Sequence, residues 1–272
     1  MDSQVRRGLI SVGTTRIAVT DCGSGQPVLL VHGLGGPAIW SRVLEPLSEK
    51  FRIVTVDLPG FGKSDPPPLP CPTRHYAEML DRVIAALGLD HLAVVGISYG
   101  GQIAATAALD HPGRIEKLIL IAPTGISDHP ALNNPLTWFF LHNVVKHLIF
   151  RNVHLTCFFG KWSFFNPRNR PPDLCSDFLS QFDRDAKIDS WLGALRNTLV
   201  SDPGWIAELK TLPVPALIVW GREDRLVPSA DGVAFSRSLP HASLVVLDRC
   251  GHSLPLEKPA EMVERISAFV AG

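Results

Sequence analysis

The sequence predicts an α/β protein in which a mostly parallel sheet is flanked by helices and carries an inserted helical cap. Three observations lead to this fold class. Short apolar runs recur in both halves of the chain, helix-like segments lie between them, and one long segment breaks the alternation. Apolar runs without polar alternation are typical of strands buried on both faces, as in a parallel sheet covered by helices. With 272 residues, 46% of them hydrophobic, the chain can bury one large core.

The strand-like runs are rich in leucine and β-branched residues and are bounded by Gly or Pro. In chain order they lie at 28–33, 52–60, 92–98, 117–123, 216–221 and 243–248. The earlier segment GLISVGTTRIAVTDCG alternates and contains turn residues, which predicts an antiparallel hairpin at one edge of the sheet. Stop and start signals at Gly and Pro predict helices at 75–88, 100–110 and 259–270.

The segment 124–205 lacks a strand-like run and holds 13 of the 21 aromatic residues of the chain. A connection of this length is too long for a simple loop. We therefore expect a helical cap at 124–205, inserted into a core formed by 1–123 and 206–272. Some of its aromatic side chains should wall a substrate pocket, while others pack within the cap. The candidates for the pocket wall are Trp138, Phe139, Trp162 and Trp191.

Charge and cysteine content restrict the expected partners and compartment. Lys plus Arg and Asp plus Glu both number 26, so the zero formal charge argues against nucleic acid or an anionic membrane surface as the main partner. The five cysteines, at 22, 71, 157, 175 and 250, lack CxxC spacing and are odd in number, which predicts reduced thiols in a cytoplasmic protein and no metal site. The sequence predicts neither a signal peptide nor a transmembrane segment. It leaves the oligomeric state open.

One serine lies between two glycines, at the junction of a strand-like and a helix-like segment, in LAVVGISYGGQIAATAAL (92–109). G-x-S-x-G alone is a weak signal, but a preceding strand and a following helix are the setting of a nucleophile elbow. Such a turn exposes the hydroxyl of Ser98. It also places the next N–H, that of Tyr99, at a helix N-terminus, where donors lack partners. A plainer explanation is a capping serine in a strand-to-helix turn.

A serine hydroxyl is a poor nucleophile unless a base takes its proton. Of the ten histidines, His252 is best placed, because it follows the last strand and precedes the last helix. Such a base needs a carboxylate that fixes its tautomer and stabilises the imidazolium. Asp224 follows the penultimate strand and should emerge at the same edge of the sheet. Asp128, which follows the strand before the cap, is the rival acid.

The chain resembles the α/β-hydrolase superfamily, in particular its serine carboxylesterases and lipases. The resemblance rests on the order Ser98, Asp224, His252 and on five motifs, which are VLLVHGLGG, VTVDLPGFGKSD, GISYGG, WGREDRLVP and CGHSLPLEKP. It spans nearly the whole chain and implies both the fold and a serine triad. It also implies that the backbone N–H of Leu34 joins that of Tyr99 in an oxyanion hole, and that the reaction needs no metal or organic cofactor.

The expected activity is hydrolysis of uncharged carboxylic esters of short to medium chain, through an acyl-enzyme on Ser98. Serine at the elbow, and the absence of tyrosine from 124–205, argue against the chemistry of epoxide hydrolases and haloalkane dehalogenases. A competing hypothesis is a carbon–carbon bond hydrolase of the meta-cleavage type. HGLGGPAIW resembles its oxyanion loop, but GISYGG and GHSLPLE lack the asparagine and the aromatic residue associated with that group. A perhydrolase of the haloperoxidase kind and a non-catalytic receptor for a small molecule are also compatible with the resemblance.

Overall fold

In the computed structural model, which describes residues 5–129 and 134–272, eight strands form one sheet. The strands are β1 (Arg6–Val12), β2 (Thr15–Cys22), β3 (Pro27–Val31), β4 (Arg52–Val56), β5 (Leu92–Ile97), β6 (Ile115–Ile121), β7 (Ala216–Gly221) and β8 (Ala242–Leu247). Their order is β1-β2-β4-β3-β5-β6-β7-β8. The pairs β1–β2 and β2–β4 are antiparallel, and the other five pairs are parallel. The predicted edge hairpin and mostly parallel sheet are confirmed.

Helices connect the strands and fill the long segment before β7. Among the described residues they are α1 (Leu44–Ser48), α2 (Thr73–Ala86), α3 (Tyr99–Asp110), α4 (Pro135–Val144), α5 (Val153–Gly160), α6 (Leu174–Ser180), α7 (Asp185–Thr198), α8 (Pro203–Leu209), α9 (Ser229–Ser238), α10 (Leu254–Glu257) and α11 (Pro259–Ala271). A π-helical turn at Val145–Ile149 continues α4. Over residues 5–129 and 134–272, no helix is both long and apolar enough to cross a bilayer.

The sheet is the centre of the main core, and its parallel arrangement determines where the functional loops emerge. Every residue of β5 and of β7 is buried, which explains why these strands read as continuous apolar runs. Parallel strands present their carboxyl ends at one edge of the sheet. The segments that follow β5, β7 and β8 therefore all begin at that edge, where open α/β sheets bind ligands.

The segment expected to form a cap is helical, and its described residues include no strand. Helices α4, α6 and α7 and the π-helical turn share a small apolar cluster of their own, with Val145, Phe150, Ile188 and Leu192 at its centre. This second cluster supports the idea of a separate layer over the sheet edge. The boundaries 124 and 205 themselves remain a prediction.

The prediction that all five cysteines are free thiols is wrong. Cys157 in α5 and Cys175 in α6 form a disulfide with a Cα–Cα distance of 5.6 Å. Sequence spacing does not reveal this pair, because the two cysteines are 18 positions apart and come together only when α5 packs against α6. Cys22, Cys71 and Cys250 are free and buried. The cysteine argument for a cytoplasmic location therefore no longer holds, and that location remains a prediction.

Candidate active site

Ser98 occupies a sharp turn between β5 and α3, with φ 56° and ψ −125°. A positive φ is unusual for a residue with a side chain, and here it directs the chain out of the strand and directly into the helix. Its backbone is held by four hydrogen bonds: Ser98 N–H donates to Ile121 O at 2.8 Å, and Ser98 O accepts the N–H groups of Gly101 at 2.9 Å, Gln102 at 3.3 Å and Thr124 at 3.3 Å. The side chain lines a cavity above the sheet edge.

The glycines around Ser98 leave room for this turn. A Cβ at Gly100 would collide with the backbone of Val31 and His32, and a Cβ at Gly96 would collide with the carbonyl of Gly100. The turn thus requires glycine on both sides of the serine because backbone passes through the space that side chains would fill. The glycines of G-x-S-x-G are therefore required by the packing of the elbow, whereas the serine is required by the proposed chemistry.

His252 and Asp224 form a hydrogen-bonded pair at the same edge. His252 Nδ1 lies 2.6 Å from Asp224 Oδ2. The Asp224 side chain is fully buried, and its other oxygen accepts the backbone N–H groups of Leu226 at 2.8 Å and Val227 at 3.0 Å. A carboxylate held in this way orients the imidazole with Nδ1–H as donor, so Nε2 is free to accept a proton. His252 lines the same cavity as Ser98.

The rival acid has a different environment. Asp128 is exposed, and it does not belong to the residues that line the cavity within the part of the chain that the structure describes. The carboxylate that is hydrogen-bonded to His252 Nδ1 is that of Asp224. The geometry therefore favours Asp224 over Asp128 as the partner of the histidine.

A buried histidine supports the loop that follows β3. His32 Nδ1 donates to Gly33 O at 2.7 Å, and its Nε2 accepts Leu58 N–H at 2.9 Å. Burial lowers the pKa of His32, which keeps the ring neutral and consistent with one donor and one acceptor. Gly33 is close to the serine: a Cβ there would lie 2.8 Å from Ser98 Cβ and 3.3 Å from Ser98 Oγ. The loop thus brings its backbone within reach of the serine hydroxyl.

The two expected oxyanion donors belong to the loop after β3 and to the start of α3. Leu34 follows Gly33 and lines the cavity, and its carbonyl accepts Trp191 Nε1–H at 2.9 Å. Tyr99 is the first residue of α3, so its N–H has no partner within the helix. The Tyr99 side chain points elsewhere and accepts Asn197 Nδ2–H at 2.8 Å. Both backbone groups are therefore available near the serine, and their function as an oxyanion hole remains a prediction.

The cavity has a volume of about 450 Å³ and is lined mainly by apolar side chains from the sheet edge and from α5 to α7. Of the four aromatic candidates for its wall, Trp191 lines it. The other three do not lie among its lining residues, which corrects the expectation for Trp138, Phe139 and Trp162. Phe139 is 62% exposed and Trp162 52% exposed, because they lie on the outer faces of the helical segment. Trp138 packs on the small cluster, under the Arg196 guanidinium.

Sequence reasoning missed two charged side chains in the cavity wall. Asp231 Oδ1 accepts the Ser127 hydroxyl at 2.7 Å, whereas its Oδ2 is buried without a hydrogen-bond partner among the described residues. Arg170 contacts the sulfurs of the disulfide through Nη1, and its Nε is likewise buried and unpartnered within the described ranges. Neither residue belongs to a recognisable motif, so no local signal could have identified it. Both offer polar atoms to a ligand in an otherwise apolar space.

Glu257 connects the histidine loop to the helical segment, and sequence reasoning missed it as well. Its two carboxylate oxygens accept the N–H groups of Gly251 and Phe165, both at 2.8 Å. Ser253 N–H donates to Ser163 O at 2.9 Å beside them. Burial raises the pKa of Glu257, while these backbone donors oppose that shift. The position of His252 thus depends on contacts with the segment that precedes α6.

Comparisons with known proteins agree with this architecture. A family model described as "Alpha/beta hydrolase family" matches residues 28–265. The 2-hydroxy-6-oxononadienedioate/2-hydroxy-6-oxononatrienedioate hydrolase 1 of Dechloromonas aromatica (strain RCB) is 31% identical over 260 residues, covering 85% of this chain and 82% of that protein. The pimeloyl-(acyl-carrier protein) methyl ester esterase of Aeromonas hydrophila subsp. hydrophila is 27% identical over 270 residues, covering 93% and 99%. The solved structure of the epoxide hydrolase CorEH superposes with a TM-score of 0.86 at 21% identity, covering 98% and 99%, and shows the shared fold alone.

Proposed function

The chain belongs to the alpha/beta hydrolase family and is a hydrolase, and from this premise we propose that Ser98, His252 and Asp224 cleave a bond next to a carbonyl carbon. The observation that carries the proposal is the 2.6 Å contact between His252 and Asp224 at the edge where Ser98 opens into an apolar cavity. An oriented imidazole and a serine hydroxyl that line the same cavity are the groups that nucleophilic catalysis requires.

The reaction proceeds through an acyl-enzyme. Ser98 Oγ attacks the substrate carbonyl while His252 Nε2 takes its proton, and the Leu34 and Tyr99 N–H groups bind the developing oxyanion. The tetrahedral intermediate collapses, the bond to the leaving group breaks, and His252 protonates that group. Water then attacks the acyl-enzyme with the same base and releases the acid and the free serine. Asp224 holds the imidazole and stabilises its positive charge throughout.

Within this chemistry we propose carbon–carbon bond hydrolysis of a 2-hydroxy-6-oxo-dienoate as the preferred reaction. The relative from Dechloromonas aromatica is named for such a substrate and is the more similar of the two relatives compared above. A carbanion leaves in this reaction, so the 2-hydroxy-dienoate must first tautomerise. Its hydroxyl loses a proton, the carbon next to the 6-oxo group gains one, and the resulting 2-oxo group beside the carboxylate accepts the electron pair of the broken carbon–carbon bond. The guanidinium of Arg170 in the cavity wall offers a cation for that carboxylate.

Ester hydrolysis of short to medium chains is the second candidate, and the residues beside the triad favour it. Ile97 precedes the nucleophile and Ser253 follows the histidine, where the carbon–carbon hydrolases are associated with asparagine and an aromatic residue. The mainly apolar lining suits an uncharged acyl chain, and the relative from Aeromonas hydrophila is named as a methyl ester esterase. Both reactions use the same three side chains and differ in the leaving group and in the substrate that the cavity accepts.

The test compares the two substrate classes on one enzyme. Turnover of 2-hydroxy-6-oxo-6-phenylhexa-2,4-dienoate and of p-nitrophenyl esters from acetate to palmitate is measured by absorbance. Arg170→Gln should raise KM for the dienoate at least tenfold, because a charge-assisted hydrogen bond is lost, and should leave ester KM nearly unchanged. Arg168→Gln, at an exposed neighbouring arginine, is the matched control.

The outcomes separate the proposals. A dienoate kcat/KM above that of every ester supports carbon–carbon hydrolysis, and the reverse order supports the esterase. If neither class shows turnover that depends on Ser98, the catalytic proposal is wrong and a receptor for a small molecule becomes the better explanation.

A further inference from the structure

The outer surface of the helical segment combines exposed apolar side chains with an uneven charge. Between residues 134 and 170 the sequence contains Lys146, Arg151, Lys161, Arg168 and Arg170 but no Asp or Glu. Because the whole chain has a formal charge of zero, the rest of the molecule carries the matching negative excess. A net charge averaged over the chain therefore hides a cationic region.

This same region exposes large apolar side chains, which together we call the aromatic face. It comprises Leu136, Phe139, Phe140, Val144, Leu148, Val153, Leu155, Phe158, Phe159, Trp162 and Phe165. The most exposed of them, Leu136, Phe139 and Phe140, have between 60% and 65% of their surface accessible. Phe139 packs against Phe140, and Phe159 packs against both Phe158 and Trp162. Clustered exposed rings of this kind mark a site of interaction with another molecule or a membrane.

Of the five cations in this region, two form ion pairs with α7, two are free to bind an anionic partner, and Arg170 lines the cavity. Lys146 contacts Asp189 at 2.6 Å and Arg151 contacts Asp185 at 2.8 Å, both on α7. Lys161 and Arg168 are exposed and form no ion pair with the part of the chain that the structure describes. Both flank the exposed rings of Phe158, Trp162 and Phe165, so apolar rings and free cations share one surface.

The aromatic face borders the cavity. Phe159 belongs both to the exposed face and to the cavity lining, and Gly160 and Ser163 line the cavity next to exposed Phe158 and Trp162. An apolar molecule dissolved at this face would therefore lie beside the wall of the candidate active site.

We propose that the aromatic face docks on the surface of an anionic phospholipid bilayer. Tryptophan and phenylalanine rings partition into the region between headgroups and acyl chains, and neighbouring Lys and Arg side chains attract anionic headgroups. The absence of acidic residues between 134 and 170 favours this partner. No helix of the described residues needs to cross the membrane for such binding.

A second copy of the chain is a poorer partner for this face. In a two-fold dimer each patch meets its own equivalent, so the cations of one copy would face those of the other. An acidic protein would satisfy the charge, but the unpaired cations are few beside the apolar rings. A bilayer offers the extended apolar volume that so many rings require.

The experiment measures binding of the purified chain to vesicles, independently of any catalytic activity. Sedimentation with vesicles of phosphatidylcholine mixed with phosphatidylglycerol is compared with vesicles of phosphatidylcholine alone. The anionic vesicles should bind the protein at least tenfold more tightly. Phe158→Ser should weaken this binding about tenfold by removing one inserted ring. Lys161→Gln combined with Arg168→Gln should weaken binding to anionic vesicles on the order of thirtyfold.

Controls keep this test separate from the proposed reaction. Leu9→Ser, at an exposed leucine on β1, should bind like the unmodified protein, and so should Ser98→Ala. Equal binding to both kinds of vesicle, or no binding, overturns the proposal. A dimer that Phe158→Ser dissociates in analytical ultracentrifugation, with no vesicle binding, would assign the face to a second copy instead. Capture of an acidic protein without vesicle binding would overturn it as well.

Discussion

Ser98 has a backbone conformation that favours glycine, and its hydroxyl is exposed to the cavity. A non-glycine residue in such a region costs on the order of 1–3 kcal/mol, which the surrounding structure must offset. We predict that Ser98→Gly is more stable than Ser98→Ala by about 1 kcal/mol in urea unfolding, because glycine relieves the strain. Both variants should lose about four to six orders of magnitude in kcat. Equal stability of the two would show that the turn is not strained, and a tenth of the turnover in either would exclude Ser98 as nucleophile.

Asp224 and Asp128 provide a matched pair for the acid of the proposed triad. Asp224→Asn should lower kcat by about 10⁴, because an amide favours the wrong tautomer of His252 and cannot stabilise the imidazolium. Asp128→Asn, at an exposed aspartate, should cost less than about tenfold. The measurement is kcat for both variants, with circular dichroism confirming the fold. A crippled Asp128→Asn variant beside an active Asp224→Asn variant would transfer the role of acid to Asp128.

At the scale of elements, α10 holds the histidine loop through Glu257. We predict that Glu257→Gln loses about 1–3 kcal/mol of stability, because the amide oxygen cannot accept both the Gly251 and Phe165 N–H groups. Turnover should fall as well, because His252 follows Gly251 directly and would lose its position when the Gly251 N–H loses its acceptor. Glu264→Gln, at an exposed position of the next helix, is the control and should change neither quantity.

The difference in stability between the unmodified protein and Glu257→Gln should depend on pH, and its direction follows from the pKa of Glu257. Because burial raises the pKa of Glu257 in the folded state, ionising it costs stability that the glutamine variant does not lose. The advantage of the unmodified protein should therefore be largest below the unfolded pKa of glutamate and should shrink as pH rises through the higher folded pKa. Urea unfolding of both proteins across this range measures it. A difference that grows with pH would show that the carboxylate is stabilised in its ionised form.

How much of the fold and the site could be predicted from the sequence depended on how each element is buried. Strands such as β5 and β7 were predictable because burial on both faces leaves a continuous apolar run. The triad candidates were predictable because each follows a strand that ends at one edge. Trp138 and Phe139 were misplaced because an almost wholly apolar helix does not reveal in its sequence which face it buries. Trp162 lies in a 3-10 turn of three residues, which is too short to show a periodic pattern. Glu257 was missed because its contact with Phe165 joins segments far apart in the chain. Arg170 was missed because only the folded structure places it in the cavity wall.

At the scale of the whole molecule, the sheet edge supplies the proposed catalytic groups and the helical segment supplies the other wall of the cavity. Ser98 and His252 come from the first part, whereas Trp191 and Cys175 come from the second. The cavity therefore forms only when the helical segment is correctly positioned over the edge of the sheet. The hydrogen bonds from Phe165 N–H to Glu257 and from Ser253 N–H to Ser163 O hold the two parts together beside the histidine.

The disulfide is the covalent link within this second wall, and its removal tests how far the wall depends on it. Cys157 and Cys175 enclose a segment of 18 positions, and closing a loop of that size contributes roughly 3 kcal/mol by the chain-entropy estimate. We predict that dithiothreitol lowers the Tm by several degrees and raises KM, because Cys175 lines the cavity and Arg170 packs against both sulfurs. Cys157→Ser combined with Cys175→Ser should reproduce both effects and then be insensitive to the reductant, since the three other cysteines are free and buried. Thermal unfolding and kinetics on the four combinations of protein and reductant measure this. An unchanged Tm and KM in the reduced protein would show that packing of α5 on α6 maintains the cavity wall without the covalent link.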